Sequence, residues 1–420
     1  MSERTAIRTA VTLAAAGVCW AVGAWLLWRT SVPSLHLSGL DAHRFFTAQQ
    51  LRRSARFAHG EQALWLGGTV ATITALAVLA RILPRRVSTM GLGRIGSAVI
   101  VGMVLLCVLW AVSLPFGLVD LWWQHHWGLG PFDILAWLNA QWAVLGAEAV
   151  SVMLTIVLLV GLAGRFRRWW LVAGLAFVAI AAAFAFLSGW LSAAGSHPLR
   201  NPVLAADIRR IERIEGVRGT PVRVEDVSSW TNQANAFTDG FGPSTHVVIW
   251  DTLLDGRFSR GEENVVVAHE LGHVRSRHIP KAIGWSALVV LPTLWLLSLA
   301  LRGRGGLGRP ENLPYAFLVL AVLGLLTAPL QNVVSRRYEA EADWRALRAT
   351  RDPASATKLF QSFQTTSLEQ PNPAGWDYLW LENHPTLMQR IAMAQAWRGQ
   401  RRSRSVSGRS WMPLTVRYFE

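Results

Sequence analysis

His269-Glu270-Leu271-Gly272-His273 decides how the rest of the chain is read. On a helix, residues four apart share a face, so His269 and His273 point the same way and can hold one metal ion. Glu270, one residue along, can reach a water beside that metal. The flanking residues favour a helix. Ser259 and Glu262 have the spacing of a capping box, in which each side chain satisfies the other's backbone N–H. Glu262 and Glu263 fall in the first turn, where carboxylates suit the helix dipole. Val265, Val266, Val267 and Ala268 form an apolar stretch leading into the histidines. Arg275, Arg277 and His278 follow near the C-terminal end, and Pro280 is expected to close the helix.

Around this polar island the composition is that of a bilayer protein. The chain has 420 residues and only 16% of them are charged. Its mean hydropathy is +0.29. Together these exclude an ordinary soluble globule. The 22 tryptophans suit aromatic belts at the two membrane surfaces. Cys19 and Cys107 both lie within apolar runs, so neither a disulfide framework nor a thiolate metal site is expected. The net charge of +15 is carried almost wholly by arginine. Arginines at the ends of membrane helices, facing anionic lipid, account for it without nucleic-acid binding.

Seven apolar runs have the length of a membrane-crossing helix. They are Thr9 to Trp28, Ala63 to Ala80, Ile95 to Val119, Ile134 to Ala163, Trp169 to Ser192, Ile283 to Leu301 and Leu313 to Val334. The first follows Arg4 and Arg8, but no small-x-small cleavage site precedes Arg29, so it reads as a retained span rather than a signal peptide. Residues 29–62 read as a polar loop. A kink is expected at Pro329 in the seventh run.

The polar stretches carry the remaining structure. Asp207 to Glu215 reads as an amphipathic helix and Val222 to Val227 as a strand. Asn235 to Thr238 and His246 to Trp250 read as two strands joined through Gly240, Gly242 and Pro243, a hairpin signal. The fold class expected is an all-α multi-pass membrane protein of seven transmembrane helices. Its metal-bearing domain is mostly helical and contains a small β-hairpin or sheet.

H-E-x-x-H on a helix is the pattern of zinc-dependent peptide hydrolysis, with the glutamate as general base. Catalytic zinc takes three protein ligands and keeps one position for water. His, Glu, Asp or Cys could supply the third. A helix expected to begin at Ser335 brings Glu339 and Asp343 one turn apart on one face. The boundaries that follow are residues 1–192 for spans one to five and 193–281 for the first part of the zinc-peptidase domain. Residues 282–334 hold spans six and seven, 335–400 the second part of the domain, and 401–420 a basic disordered tail.

HELGH followed, after two apolar spans, by Ser335-Arg336-Arg337-Tyr338-Glu339-Ala340-Glu341-Ala342-Asp343 resembles the M48 metalloproteases. The resemblance implies that Glu339 is the third zinc ligand and that Asp343 supports a ligand histidine from behind. Other segments resemble the Ste24-type CAAX prenyl proteases within that family. These are Asn235-Ala236 with Gly240-Phe241, Asp251-Thr252-Leu253-Leu254, His278 after HELGH, and His384-Pro385 with Arg390-Ile391. That resemblance implies one Zn2+ per chain and a water-filled chamber enclosed by the helices beneath the zinc domain. It gives Asn235 a substrate-backbone contact, and His384 and Arg390 a part in stabilising the oxyanion or orienting the substrate. The loops are short and an endoplasmic-reticulum retrieval signal is missing, which points to a bacterial relative.

The expected activity is that of an integral membrane zinc metalloendopeptidase acting on membrane-associated or amphipathic peptides or proteins, with any requirement for a lipid on the substrate left open. An HtpX-like quality-control protease is the alternative within the family. An inactive zinc-binding membrane scaffold is the alternative outside it. Membrane lipids are the expected partners, with no nucleic acid and a monomeric chain. The cell's inner membrane is the expected location. Lys and Arg near the span ends are only slightly in excess on the zinc-domain side, and the resemblance places that side in the cytoplasm. Glu148, midway along the fourth run, has two readings: a wall of the chamber, or a neutral acid hydrogen-bonded to a neighbouring helix. His125 and His126 could bind metal, or sit at an interface beside Trp122, Trp123 and Trp127.

Overall fold

The computed structural model describes residues 3–33, 35, 37, 39–87 and 91–406. In chain order, α1 (Glu3–Trp28), α2 (Ala48–Val87), α3 (Gly93–His126), α4 (Ile134–Arg165) and α5 (Trp169–Ala194) come first. Then come β1 (His197–Pro198), α6 (Pro202–Glu215), β2 (Val222–Glu225), β3 (Ala236–Asp239), β4 (His246–Trp250) and the histidine-bearing α7 (Arg260–Ser276). The chain continues with α8 (His278–Ala300), α9 (Leu313–Thr350), α10 (Pro353–Thr366), α11 (Gly375–Trp380) and α12 (Leu387–Val406). Among the described residues, seven helices are long and apolar enough to cross a membrane. The architecture is the expected all-α multi-pass one, with a small sheet in its polar part.

Several helices overrun their expected limits. The segment 29–62 is not all loop, because α2 starts at Ala48. Its arginines hid an apolar stripe on which Ser54 and Phe57 are buried, and Gln364 donates to the Gln50 carbonyl to hold it against α10. No new helix starts at Ser335. The seventh span and the segment carrying Glu339 and Asp343 are one unbroken helix, α9, with Pro329 inside it. Pro280 does not close α7. Arg277 breaks the helix in a left-handed conformation, with φ 54°, and Pro280 lies in the first turn of α8, where a proline is tolerated. At the C-terminus, α12 continues to Val406, six residues into the expected tail, and the tail from 407 onward lies outside the described residues, as does His36.

The membrane helices form a ring. α2 packs on α3, α3 on α4, α4 on α5, α5 on α8, α8 on α9, and α9 back on α2, with α1 outside against α8. The ring is filled at one end only. Ala98, Val101, Leu105, Ile156, Val160, Ala173, Leu297 and Leu313 form a core beside the α8–α9 connection. Nearer the sheet fewer side chains of these helices are buried. Among the described residues, α3 buries nothing beyond Leu106, α4 nothing before Ile156, and α9 nothing between Ala316 and Val334. Fully buried residues on these helices are therefore concentrated in the half remote from the polar domain. Glu148 is exposed in the other half of α4. It lies four residues before Val152, which packs on the core, so it continues the inward stripe of α4.

The polar domain has its own core, in which α7 is central. Val265, Val267, Ala268 and Leu271 of α7 meet Leu347 of α9, Phe360 of α10, Ile391 of α12 and Ile211 of α6. The strand order is β1-β2-β4-β3, with β3 and β4 antiparallel as expected. The parallel β2–β4 pair and the short β1 were not expected. β3 is therefore an edge strand, and it lies beside α7.

Candidate metal centre

The sequence start of α7 behaves as its residues demand. The Ser259 backbone N–H and hydroxyl both donate to Glu262, at 2.9 and 2.6 Å, which closes the capping box. The helix then presents His269 and His273 on one face towards α9. Gly272 is needed there. A Cβ on it would stand 3.3 Å from the backbone of Ala342 and 3.2 Å from Cβ of Arg345. A larger residue would hold α7 and α9 apart, and Glu339 with them.

Three donor atoms converge as a result. His269 Nε2 lies 3.0 Å from His273 Nε2 and 3.1 Å from Glu339 Oε2. His273 Nε2 lies 3.6 Å from the same carboxylate oxygen. Ligands bound to zinc at about 2.0–2.1 Å in a tetrahedron sit about 3.3–3.4 Å from one another, so the triangle has the size that the metal requires. The electrostatics agree. Burial pulls the His269 imidazole down, but its hydrogen bonds to the Asp343 and Glu339 carboxylates outweigh it and set it at about 10. A field that holds a positive charge so firmly also favours a divalent cation.

Each histidine is held from behind. His269 Nδ1 is 2.9 Å from Asp343 Oδ1, which fixes the tautomer that leaves Nε2 for a metal. Arg390 donates to both oxygens of Asp343, at 2.8 and 2.7 Å. It therefore stands behind the histidine support. A buried carboxylate needs such a paired cation. His273 has a chain of its own. Its Nδ1 is 2.8 Å from Nδ1 of His278, whose Nε2 is 3.1 Å from Glu341 Oε2. The Ser31 backbone N–H donates to Glu341 Oε1 at 2.7 Å. The His278 ring also stacks on Tyr338, centroids 4.6 Å apart, and Tyr338 donates to the Leu27 carbonyl of α1. Glu341 faces away from the three donors, and Glu339 faces them.

Glu270 is buried beside this triangle, and Thr238 of β3 donates to its Oε2 at 2.9 Å. Nothing in the sequence marked Thr238, which sits among ordinary strand residues. His384 joins from the loop before α12, with Nε2 3.3 Å from Glu339 Oε2 and Nδ1 2.6 Å from Asn383 Oδ1. Asn235 is exposed at the start of β3, and its Oδ1 accepts from the next backbone N–H. A cavity of about 370 Å³ adjoins the triangle. Asn235, His269, Glu270 and His384 line it, Leu253, Val265, Phe360 and Phe363 give it an apolar floor, and Glu369 and Glu382 stand opposite. Burial, then the neighbouring carboxylates Glu369 and Asp377, push Glu382 up to about 7. His125 and His126 stay remote from all of this. His126 stacks on Trp122 and Trp123, as the interface reading has it.

The comparisons with known proteins fall on this same region. Residues 198–398, which hold every residue of the triangle and its supports on α7, α8, α9 and α12, match Peptidase family M48. This stretch, just under half of the chain, is thus similar to that family. It is 27% identical over 245 residues to the uncharacterized metalloprotease YhfN of Bacillus subtilis, covering 54% of this chain and 57% of that protein. It is 30% identical over 160 residues to a protease HtpX homolog of Methylibium petroleiphilum, covering 38% of this chain and 54% of that protein. The chain thus spans little more than half the length of these curated relatives. Among solved structures, Ste24p of S. mikatae has the same fold, with a TM-score of 0.72 at 16% identity, over 90% of this chain and 96% of that one. The match extends through the membrane ring.

Proposed function

We propose that the chain is a zinc-dependent membrane endopeptidase holding one Zn2+ through His269, His273 and Glu339. The observation that carries the reading is the size of the donor triangle together with Glu270 beside it, a carboxylate that is not part of it. A scaffold with structural zinc would close the site with a fourth ligand. Among the described residues the grouped donors number three, and a cavity adjoins them.

Bound zinc supplies a Lewis acid that polarises the scissile carbonyl and makes water a better acid. Glu270 Oε2 takes the proton of the attacking water and returns it to the leaving amine. The Thr238 hydroxyl holds that carboxylate in place. The substrate backbone adds to the free edge of β3 near Asn235, as an extended strand. His384 donates to the oxygen that gains charge, and Asp343 and Arg390 keep His269 in its ligand tautomer. An apolar residue next to the scissile bond fits the cavity floor. Substrates that reach this site from the membrane come through a chamber between the helices, past Glu148. The substrate is then a membrane-associated or amphipathic peptide or protein, and the protein itself is an inner-membrane monomer with the zinc domain in the cytoplasm. The HtpX homologs among the relatives favour a second reading, quality control of membrane proteins, by the same chemistry.

Cleavage-site mass spectrometry on membranes carrying the wild type or Glu270→Gln tests the proposal. Peptide termini that depend on Glu270 support it. Identical termini in both samples contradict it.

A further inference from the structure

The end of the bundle remote from the metal carries a second cavity, of about 790 Å³. It lies where α3 begins, where α4 gives way to α5, and where α8 gives way to α9. Each of these junctions sends arginine into its wall: Arg94 from the first, Arg167 from the second, Arg302 and Arg309 from the third. No carboxylate lines the cavity. Among the described residues, none of these four arginines forms an ion pair, whereas Arg257, Arg260, Arg345 and Arg390 elsewhere do. Four like charges gathered without a counter-charge repel one another, and an anion of matching size relieves that.

The backbone is shaped to bring them together. Gly305 and Gly306 adopt left-handed conformations, with φ 84° and 87°, which turn the α8–α9 connection back over the cavity. The Arg94 guanidinium lies over Gly164, where a Cβ would stand 2.0 Å from Nη1, so a larger residue there would make that side chain move. All four cations are arginine rather than lysine, and the planar guanidinium is the side chain that grips phosphate oxygens in pairs. Trp169 and Trp170 share the wall. Exposed apolar residues follow directly: Ile95 on α3, Phe166 after α4 and Leu171 on α5. The cavity therefore sits at the rim of the apolar belt, charged above and greasy below.

We propose that this cavity binds the phosphate headgroup of an anionic phospholipid, whose acyl chains lie along the exposed faces of α3 and α5. Phosphate is the shared chemistry of a lipid headgroup and a free anion, and the apolar flank commits the site to the lipid. The site is independent of peptide hydrolysis and stands or falls without it.

The test uses the full chain purified in a neutral detergent, with bound lipid counted by native mass spectrometry. The probes are phosphatidylglycerol, phosphatidylcholine and inorganic phosphate. Phosphatidylglycerol is expected to bind more tightly than phosphatidylcholine by about tenfold or more. Arg167→Gln with Arg302→Gln is expected to weaken phosphatidylglycerol about thirtyfold, the worth of two basic side chains facing an anionic lipid. Arg209→Gln with Arg213→Gln, exposed on α6, removes the same charge and should bind as the wild type does. Should the first pair fail to fold, Arg167→Lys with Arg302→Lys keeps the charge and loses the paired grip, and a loss of several-fold is expected. Unchanged binding in the cavity variants, or equal retention of phosphatidylcholine, overturns the proposal. Inorganic phosphate that displaces the lipid at millimolar concentration makes the site one for the free anion and equally overturns it.

Discussion

His278 gives the sharpest test of how the metal centre is held. Replacing it with Phe keeps a flat ring to stack on Tyr338 at the present 4.6 Å centroid spacing. The change removes both ring nitrogens. His273 Nδ1 loses its 2.8 Å partner, and Glu341 loses a partner at 3.1 Å. Glu341 keeps the Ser31 backbone N–H at 2.7 Å, so the buried carboxylate is not orphaned and the fold should survive. The cost falls on His273, which is free to take the other tautomer or rotate out of line. Outer-shell losses of this kind cost about 10–100-fold in metal affinity, or about 1.4–2.8 kcal/mol. The assay is competition for zinc against a chelator of known affinity, on the purified full chain. The zinc Kd of His278→Phe should rise by that factor, while turnover at saturating zinc stays within a few-fold of the wild type. A Kd within threefold of the wild type would refute the chain from His273 through His278 to Glu341 as a support for the metal.

Three further outcomes follow from the same geometry. Glu339→Ala should abolish stoichiometric zinc, whereas Glu341→Ala should only weaken it about 10–100-fold by loosening His278. Metal analysis that ranks them the other way removes Glu339 as a ligand. Thr238→Val deletes the hydroxyl 2.9 Å from Glu270 Oε2, a hydrogen bond to a charged group worth about 1.5–3 kcal/mol. The expected loss in kcat is about tenfold or more, with zinc content unchanged, and kinetics with metal analysis on one preparation check both. A cysteine at Glu148, in a background lacking Cys19 and Cys107, should react with a small water-soluble thiol reagent as the loop control Ser196→Cys does. Resistance at position 148 alone would mean that this face of α4 is not open to water.

Much of this was legible in short stretches of sequence. The i, i+4 histidines, the capping box at Ser259 and the apolar lengths of the spans are local patterns, and local patterns survive folding. Glu339 was reachable only through family resemblance, because it lies across two membrane spans from His273 and no spacing links them. The supports were harder still. His278 and Glu341 are 63 residues apart, and Ser31 and Glu341 are 310 apart. Such contacts belong to packing, not to periodicity. The pairing of Arg390 with Asp343 was hidden for the same reason, since a sequence shows an arginine but not the carboxylate that claims it. The start of α2 was hidden by arginines on its outer face. The join at Ser335 was hidden by a change in composition that the helix itself ignores.

The central claim is that Glu270 moves a proton while His269, His273 and Glu339 hold zinc. Glu270→Gln separates the two roles on one purified protein, by zinc stoichiometry and by peptide cleavage measured together. One zinc per chain, with cleavage reduced by at least a hundredfold, is the predicted result. Loss of the zinc, or cleavage near the wild-type rate, would contradict it.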